Sequence, residues 1–359
     1  MGWKESTRLT HIEKEVTTYN PQRNLSAANF VAEEAVLPVN MLQSNVKLSQ
    51  FSNYKIGGNA GYFFEAKNTE EIISALAYWR SKSLAGFGKR VSSKNLFILG
   101  GGTNILVDDK GFNGLVLKPG LVSLSAEDCL IKAGSGVAMK DLLDFAAERG
   151  LSGLEWAGGL PGTLGGAIRG NAGAFSGEIK DSVFEVTSLD ISRKTPRVIE
   201  RLANECGFGY RTSIFKEHNG KEIILEASLA LKKGDPKVIK AAADEKIAFR
   251  NARHPMDYPS IGSIFKNVDL RLIPKRRHKE FEDKVKADPF PVVPVAYLLA
   301  ESGLRGVSFG GAMISPKHPN FIVNVLAASS NDVKALIKLA KATIKERFDI
   351  GLEEEIIYL

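Results

Sequence analysis

The segment Gly158-Gly-Leu-Pro-Gly-Thr-Leu-Gly-Gly-Ala-Ile-Arg-Gly-Asn-Ala-Gly-Ala174 packs seven glycines into seventeen residues. A core strand does not tolerate that density, because each glycine gives up side-chain packing and adds backbone entropy. Backbone that must pass close to a large flat ligand requires it. A second run, Gly100-Gly-Gly102, follows the apolar stretch Leu96-Phe-Ile-Leu99 and leads into Thr103-Asn104 and Ile105-Leu-Val107. Three glycines after a strand let consecutive backbone N–H groups converge on an anion, and Thr103 and Asn104 add side-chain donors. Alone, the triple glycine reads better as a tight hairpin. With the second tract in the same chain, the two read as parts of one ligand cradle.

The cradle belongs to neither common nucleotide-binding design. Neither tract is a Gly-x-Gly-x-x-Gly opening a helix within a βαβ unit, and no Gly-Lys-Ser/Thr occurs. The residues therefore indicate a nucleotide-like ligand held without a Rossmann fold, and by themselves they do not identify it.

With 359 residues the chain is long for a single core, so two or three subdomains are expected. The net charge of +7 allows either a nucleic-acid footprint or a site for a polyanionic small molecule. The densest basic stretch, Arg271 to Lys286, also carries Glu280, Glu282 and Asp283 and a single aromatic residue, Phe281. It lacks the stacking platform of a single-strand binder and reads as a solvated mixed-charge face. Cys129 and Cys206 are too few and too far apart for a disulfide framework, and the five histidines show no metal spacing, so no metal is expected. No apolar run is long enough to span a membrane, and the N-terminus lacks the order of a secretory signal. A soluble, cytoplasmic protein is expected.

Residues 1–40 show no helix or strand period, and Met41 opens a segment that reads as a start. Asn68-Thr-Glu-Glu71 has capping-box spacing, followed by the helical face Ile72, Ile73, Leu76 and Trp79. Strands are expected at 96–99, 115–117, 130–131, 183–191 and 222–231. A helix with Met139, Leu142, Leu143 and Ala146 inward should stop at Gly150. Another runs from Pro236 to Asn251, and a domain boundary is expected before it at Lys232–Asp235. Val333, Leu336, Ile337, Ala340, Ile344 and Phe348 mark a late helix, and Glu355–Leu359 a terminal strand. Helices mixed with short strands in more than one module give an α+β fold.

Tyr54-Lys-Ile-Gly-Gly58, the Gly100–Asn104 loop and the Gly159–Ala174 tract, in this order, resemble the FAD-binding segments of the UDP-N-acetylenolpyruvoylglucosamine reductase (UDP-N-acetylmuramate dehydrogenase) family. That resemblance implies the FAD-binding fold of the vanillyl-alcohol-oxidase (PCMH-type) kind, in which two α/β subdomains clamp the cofactor. The implied layout is an N-terminal extension 1–40, an FAD-binding domain 41–233, a substrate-binding α+β domain 234–348 and a terminal strand 349–359. FAD would be bound non-covalently, with NADPH as hydride donor. Contacts to FAD are implied for Tyr54, Ile56, Gly100, Gly101, Gly102, Thr103, Asn104, Pro161, Gly162, Gly165, Gly166, Asn171 and Ala172. One departure is Arg169-Gly170, where many members carry bulkier apolar residues.

Three further segments match the family's catalytic motifs: Gly209-Tyr-Arg-Thr-Ser-Ile-Phe-Lys216, Tyr258-Pro-Ser-Ile-Gly-Ser-Ile-Phe-Lys-Asn267 and Leu352-Glu-Glu-Glu-Ile356. Singly, an arginine reads as a surface ion pair, a serine as a turn residue and a glutamate as a strand-edge charge. By resemblance, Arg211 would stabilise the enolate formed when hydride reaches an enolpyruvyl ether, Ser263 would protonate its C2, and Glu355 would orient the arginine or the carboxylate. Lys266 is a candidate helper of the serine. Substrate contacts are implied for Tyr210, Arg250, Arg253, Lys266, Asn267 and His318, although His318 alone reads equally as a structural histidine. The expected partners are a UDP-sugar and NADPH, with no nucleic acid, no membrane insertion and no obligatory protein. Two other readings stay open on the residues: another FAD enzyme of this fold acting on an alcohol or hydroxy acid, and a non-catalytic nucleotide- or RNA-binding scaffold.

Overall fold

The computed structural model describes residues 42–86, 95–218, 220–287 and 290–359. The expected extension 1–40 and the start at Met41 lie outside the described residues. In the strand Phe112–Pro119, Leu115 and Leu117 turn to one face and Val116 to the other, and all three are fully buried, as the two-residue period of a strand requires. Leu115 and Leu117 share a core with Ile72, Leu76 and Trp79 of helix α1 (Thr69–Gly86). Val116 shares another with Leu99, Ile105 and Val107. A strand covered on both faces belongs inside a parallel sheet. The first sheet is accordingly ordered β1 (Gln43–Lys47), β2 (Asn59–Ala66), β4 (Phe112–Pro119), β3 (Leu96–Ile98), with the last three parallel and β1 antiparallel at the edge. The expected cap of α1 forms with one change. Asn68 Oδ1 accepts from the Glu71 N–H at 2.8 Å, but the Glu71 carboxylate accepts from the Lys67 N–H rather than from that of Asn68.

The second sheet is antiparallel throughout, in the order β8 (Arg197–Leu202), β7 (Val183–Asp190), β9 (Glu222–Ala230), β6 (Leu130–Gly134), β5 (Leu124–Glu127). The edge strand β8 was not expected, because its apolar Val198 and Leu202 are exposed and give no buried face to read. A bulge at Leu225, where Thr187 pairs with Glu226 but Ser188 with Ile224, changes which face β9 presents. Ile223 and Leu225 enter the core of α1, whereas Ala227 and Leu229 enter a second core with α2 (Met139–Glu148). Helix α2 buries the four expected residues, and Gly150 beyond it adopts φ +64°. The second glycine tract is not wholly extended. It contains a short helix α3 (Leu164–Gly170), whose Leu164, Ala167 and Ile168 are buried. That helical spacing is hidden by three glycines, the weakest helix formers after proline.

Helix α4 (Pro236–Arg253) begins as expected, with Asp235 Oδ1 accepting from the Lys237 N–H at 2.7 Å. It packs backwards: its Ala243 belongs to the core of α2. A third core gathers α5 (Val295–Glu301), the buried face of α6 (Ser330–Phe348) and the strands β11 (Ala312–Ile314) and β12 (Ile322–Asn324), with β10 (Ser308–Phe309) paired to β11 but exposed. Tyr54, Ile56 and Leu106 also enter this core from the first half of the chain. The Tyr54 hydroxyl donates to Ile322 O at 2.8 Å, and Asn324 Nδ2 donates to Tyr54 O at 3.0 Å. Asp109 completes the tie, accepting from both the N–H and the hydroxyl of Ser330 at the start of α6. The last strand, β13 (Ile357–Tyr358), lies parallel to Ile105–Leu106. The architecture is the expected α+β.

Replacing Tyr54 by Phe leaves the Ile322 carbonyl buried without its donor, which should cost about 1–3 kcal/mol. Urea denaturation should show that loss while FAD affinity stays within about twofold, since the side chain serves the third core.

Candidate active site

A cleft of about 790 Å³ runs along both glycine loops, within the usual size range of cofactor sites. Its shape follows from how closely the loops approach. A Cβ on Gly101 would stand 2.8 Å from Gly162 Cα, and one on Gly102 would fall 1.7 Å from Phe51 O. Gly102 and Gly162 also adopt φ +66° and +113°, conformations that side chains disfavour. Among the described residues, the backbone N–H groups from Gly100 to Asn104 find no acceptor. Five adjoining unpaired donors in a concave loop suit a diphosphate. Opposite them, the backbone of Gly165, Gly166 and Ala172 lines the wall with no side chain larger than a methyl group, and the buried Ser135 hydroxyl has no partner. These residues fit FAD.

Arg211, Ser263 and Glu355 all line this cleft. Arg211 sits in a tight turn closed by reciprocal Gly209–Thr212 backbone bonds, at φ +57°. A left-handed conformation in a residue with a Cβ costs on the order of 1–3 kcal/mol and persists only where surrounding contacts impose it. Here Asn171 Nδ2 holds Gly209 O at 2.9 Å, and Lys216 Nζ holds Arg211 O at 2.8 Å. A hydrogen bond from a charged donor contributes about 1.5–3 kcal/mol, comparable with the strain. The guanidinium donates from Nη2 to Gly173 O at 2.9 Å, and its Nε stands 2.9 Å from Glu355 Oε1. That Nε has no aligned hydrogen bond, so the contact with Glu355 is ionic and its geometry loose.

Ser263 follows Gly262, which adopts φ +82° with no atom near its missing Cβ. A short ladder ties the serine loop to the glutamate: the Glu355 N–H donates to Ile264 O at 2.8 Å and the Lys266 N–H to Glu353 O at 2.9 Å. Buried Asn320 clamps the other side, accepting from the Phe265 N–H and donating to Phe265 O. Asn104 donates to Glu355 O at 3.1 Å, so the first glycine loop and the glutamate are joined directly.

The remaining expected residues divide. Gly100 to Asn104, Pro161, Gly162, Gly165, Gly166, Ala172 and Arg250 line the cleft. Tyr54 and Ile56 do not, being in the third core, and their neighbour Asn53 reaches the cleft instead. Asn171 is fully buried behind the wall and acts on the Arg211 turn. Tyr210 packs edge-on against Phe290 and bonds the Asn267 backbone, while Asn267 Oδ1 accepts from the Val295 N–H. Arg253 lies over the exposed ring of Phe249. Lys266 does not line the cleft, its Nζ being paired with Glu353 at 2.5 Å. Lys216, His254, Thr163 and Tyr258 do line it and were not singled out, although Thr163, Lys216 and Tyr258 lie in segments the sequence displays.

His318 sits one layer back, packed against His254 and Phe321. Burial lowers both histidines to about 4, helped at His254 by His318, Arg250 and Lys317 and at His318 by Lys286 and Arg305.

The cradle and the arginine–carboxylate pair beside it define a flavoprotein site of the oxidoreductase kind, and residues 60–193 match the FAD binding domain family. Residues 254–359 match the C-terminal domain of UDP-N-acetylenolpyruvoylglucosamine reductase. The chain belongs to the UDP-N-acetylenolpyruvoylglucosamine reductase family. Relatives of that name from Solibacter usitatus and Exiguobacterium sibiricum are 34% and 36% identical, over 90% and 91% of this chain and 99% and 93% of theirs. The crystal structure of the Thermus caldophilus reductase matches with a TM-score of 0.65 at 27% identity, over 88% of this chain and 99% of that one.

Gly101→Ala should push the two loops apart, because the new methyl meets backbone that cannot rotate away. FAD affinity, followed by quenching of flavin fluorescence, should fall at least about tenfold, roughly 1.4 kcal/mol. The histidine pair has its own signature. Unfolded chains bind these protons near the ordinary value of 6.5, and the fold binds them only near 4. Stability should therefore be full above about pH 6.5 and fall as pH drops towards about 4. His318→Phe, which keeps a ring against His254, should flatten that fall in denaturation series across the window.

Proposed function

We propose that this protein reduces the enolpyruvyl group of UDP-N-acetylglucosamine enolpyruvate to the lactyl ether of UDP-N-acetylmuramate, using NADPH, in peptidoglycan precursor synthesis. The observation that carries the reading is the Arg211–Glu355 pair, 2.9 Å apart, on the wall of a cleft that also holds Ser263 and a diphosphate-sized glycine cradle. FAD, held by the two glycine loops, would supply the hydride chemistry that links NADPH to C3 of the enolpyruvyl ether. Negative charge then accumulates on C2 and on the substrate carboxylate. Arg211 is the group to pair with that carboxylate, since a guanidinium offers two parallel donors and strengthens its contact as charge develops. Glu355 steers the guanidinium from Nε, and with one Nη2 hydrogen on Gly173 O, Nη1 and the other Nη2 hydrogen are left for the ligand. Ser263 donates its hydroxyl proton to C2, completing addition of one hydride and one proton across the double bond.

Arg250 is the cation for the substrate diphosphate. Its Nε donates to Gly158 O at 2.8 Å, and its Nη2 is buried at the cleft without a partner. A flavin enzyme acting on an alcohol would have no use for a second anion site, and family membership also favours the reductase. We divide the chain after Arg253, because α4 shares the core of α2 and the C-terminal family match starts at residue 254. We place the reaction in the cytoplasm, where NADPH and nucleotide-linked sugars are found. Among the described residues no helix is long and apolar enough to cross a membrane.

Stopped-flow flavin absorbance separates the two half-reactions. Ser263→Ala should accept hydride from NADPH at close to the wild-type rate, because no enolate forms in that step. Reoxidation by the enolpyruvyl UDP-sugar should slow by about 10²–10⁴-fold, the usual worth of a positioned acid. Arg211→Lys should also slow reoxidation, since one ammonium cannot reproduce a planar two-point contact. Equal slowing of both half-reactions, or of neither, would remove Ser263 from the role of proton donor.

A further inference from the structure

Among the described residues, four hydrogen bonds hold the Arg211 turn, and only one of them reaches Arg211's own peptide. That contact is the ammonium of Lys216, which donates to Arg211 O at 2.8 Å. Lys216 stands on the short helix Ile214–Glu217, whose start is fastened to the second glycine tract by Ser213 Oγ donating to Arg169 O at 2.7 Å. The lysine therefore reaches from the cofactor wall to the residue that would hold the substrate carboxylate.

Its surroundings do not favour a charge for stability. Lys216 is half-buried, and burial depresses its ammonium, with Lys266 and Arg169 adding repulsion. Glu355 and Glu353 attract it from a distance, but among the described residues no carboxylate pairs with it. A desolvated cation facing other cations is costly unless something anionic arrives. It also lines the cleft, whereas Lys266, the helper expected beside Ser263, is turned away onto Glu353.

We propose that Lys216 is a positioning residue for reduction of the enolpyruvyl group: its ammonium locks Arg211 in the left-handed turn that aims the guanidinium at Glu355 and the cleft, and it keeps positive charge beside the incoming carboxylate. The inference rests on the reaction proposed above. Without the lock, Arg211 relaxes to a right-handed conformation and its side chain leaves the pair with Glu355. The cost therefore falls on the step in which Arg211 works, more than on flavin binding or on hydride uptake.

The test uses the FAD-loaded enzyme with Lys216→Met, Lys216→Gln and Lys216→Arg, following flavin absorbance through each half-reaction and the FAD content and melting of each variant. In Lys216→Met the limiting reoxidation rate at saturating enolpyruvyl UDP-sugar should fall at least about tenfold further than the rate of reduction by NADPH. Such a difference in limiting rate marks lost positioning, whereas a rise in KM alone marks lost uniform binding. Lys216→Arg, which keeps a cationic donor, should restore most of the rate. Lys216→Gln, a donor without charge, should fall between them. If Lys216→Met fails to hold FAD, the comparison of Gln with Arg decides: equal reoxidation rates in those two overturn the role of the charge. Wild-type reoxidation in Lys216→Met, equal loss in both half-reactions, or a change confined to KM overturns the proposal. Failure of the wild-type enzyme to be reoxidised would instead overturn the reaction itself.

Discussion

The approach of Gly101 to Gly162 sets the geometry on which the rest of the site depends. Two loops about sixty residues apart in sequence come so close that a methyl group would stand 2.8 Å from backbone. Around that contact the N–H groups of Gly100 to Asn104 have no protein acceptor among the described residues, and these residues line the cleft. A row of unpaired donors is expensive in a core and useful against a diphosphate. The loops can only meet because each hangs from a rigid layer: the first from the parallel strands β3 and β4, the second from α3 and the core it shares with β9.

Cofactor cradle and reacting groups are mechanically one unit. Asn104 closes the first glycine loop and also holds the Glu355 carbonyl. Glu355 faces Arg211 through its side chain and the serine loop through its backbone. Asn171 ends α3 in a left-handed conformation, at φ +43°, and donates to the Arg211 turn. The flavin side is thus joined to the arginine turn, the glutamate and the serine loop by hydrogen bonds of ordinary length and by the ionic Arg211–Glu355 contact. Asn171, Phe175, Ser176 and Arg211 all adopt left-handed backbone, and at Arg211 a charged donor opposes the strain.

Much of this was legible before any fold was known. Glycine density cannot be mistaken for packing, so the cradle could be read from residues 100–102 and 158–174. The faces of α1, α2 and α6 repeat at helical spacing, and all three form where expected. The short helix α3 was not legible, because Gly165, Gly166 and Gly170 mask the spacing of Leu164, Ala167 and Ile168. Strand β8 escaped because an edge strand with exposed apolar residues has no inward face to count. The sense in which α4 packs was equally hidden, since a break in composition at Lys232–Asp235 does not say which core a helix joins.

The sequence by itself determined the local chemistry: where backbone is bare, where helices start and stop, and which motifs carry Arg211, Ser263 and Glu355. Tertiary structure decided which side chains face the cleft. Tyr54 and Ile56 lie in a motif that reads as cofactor-binding, yet Ile322 and Asn324, more than 260 residues away, draw Tyr54 into another core. Lys266 sits three residues from Ser263, yet Glu353 turns it aside and Lys216 takes the place beside Arg211. Direction in space is set by the partner that satisfies each polar group, and here those partners come from distant parts of the chain.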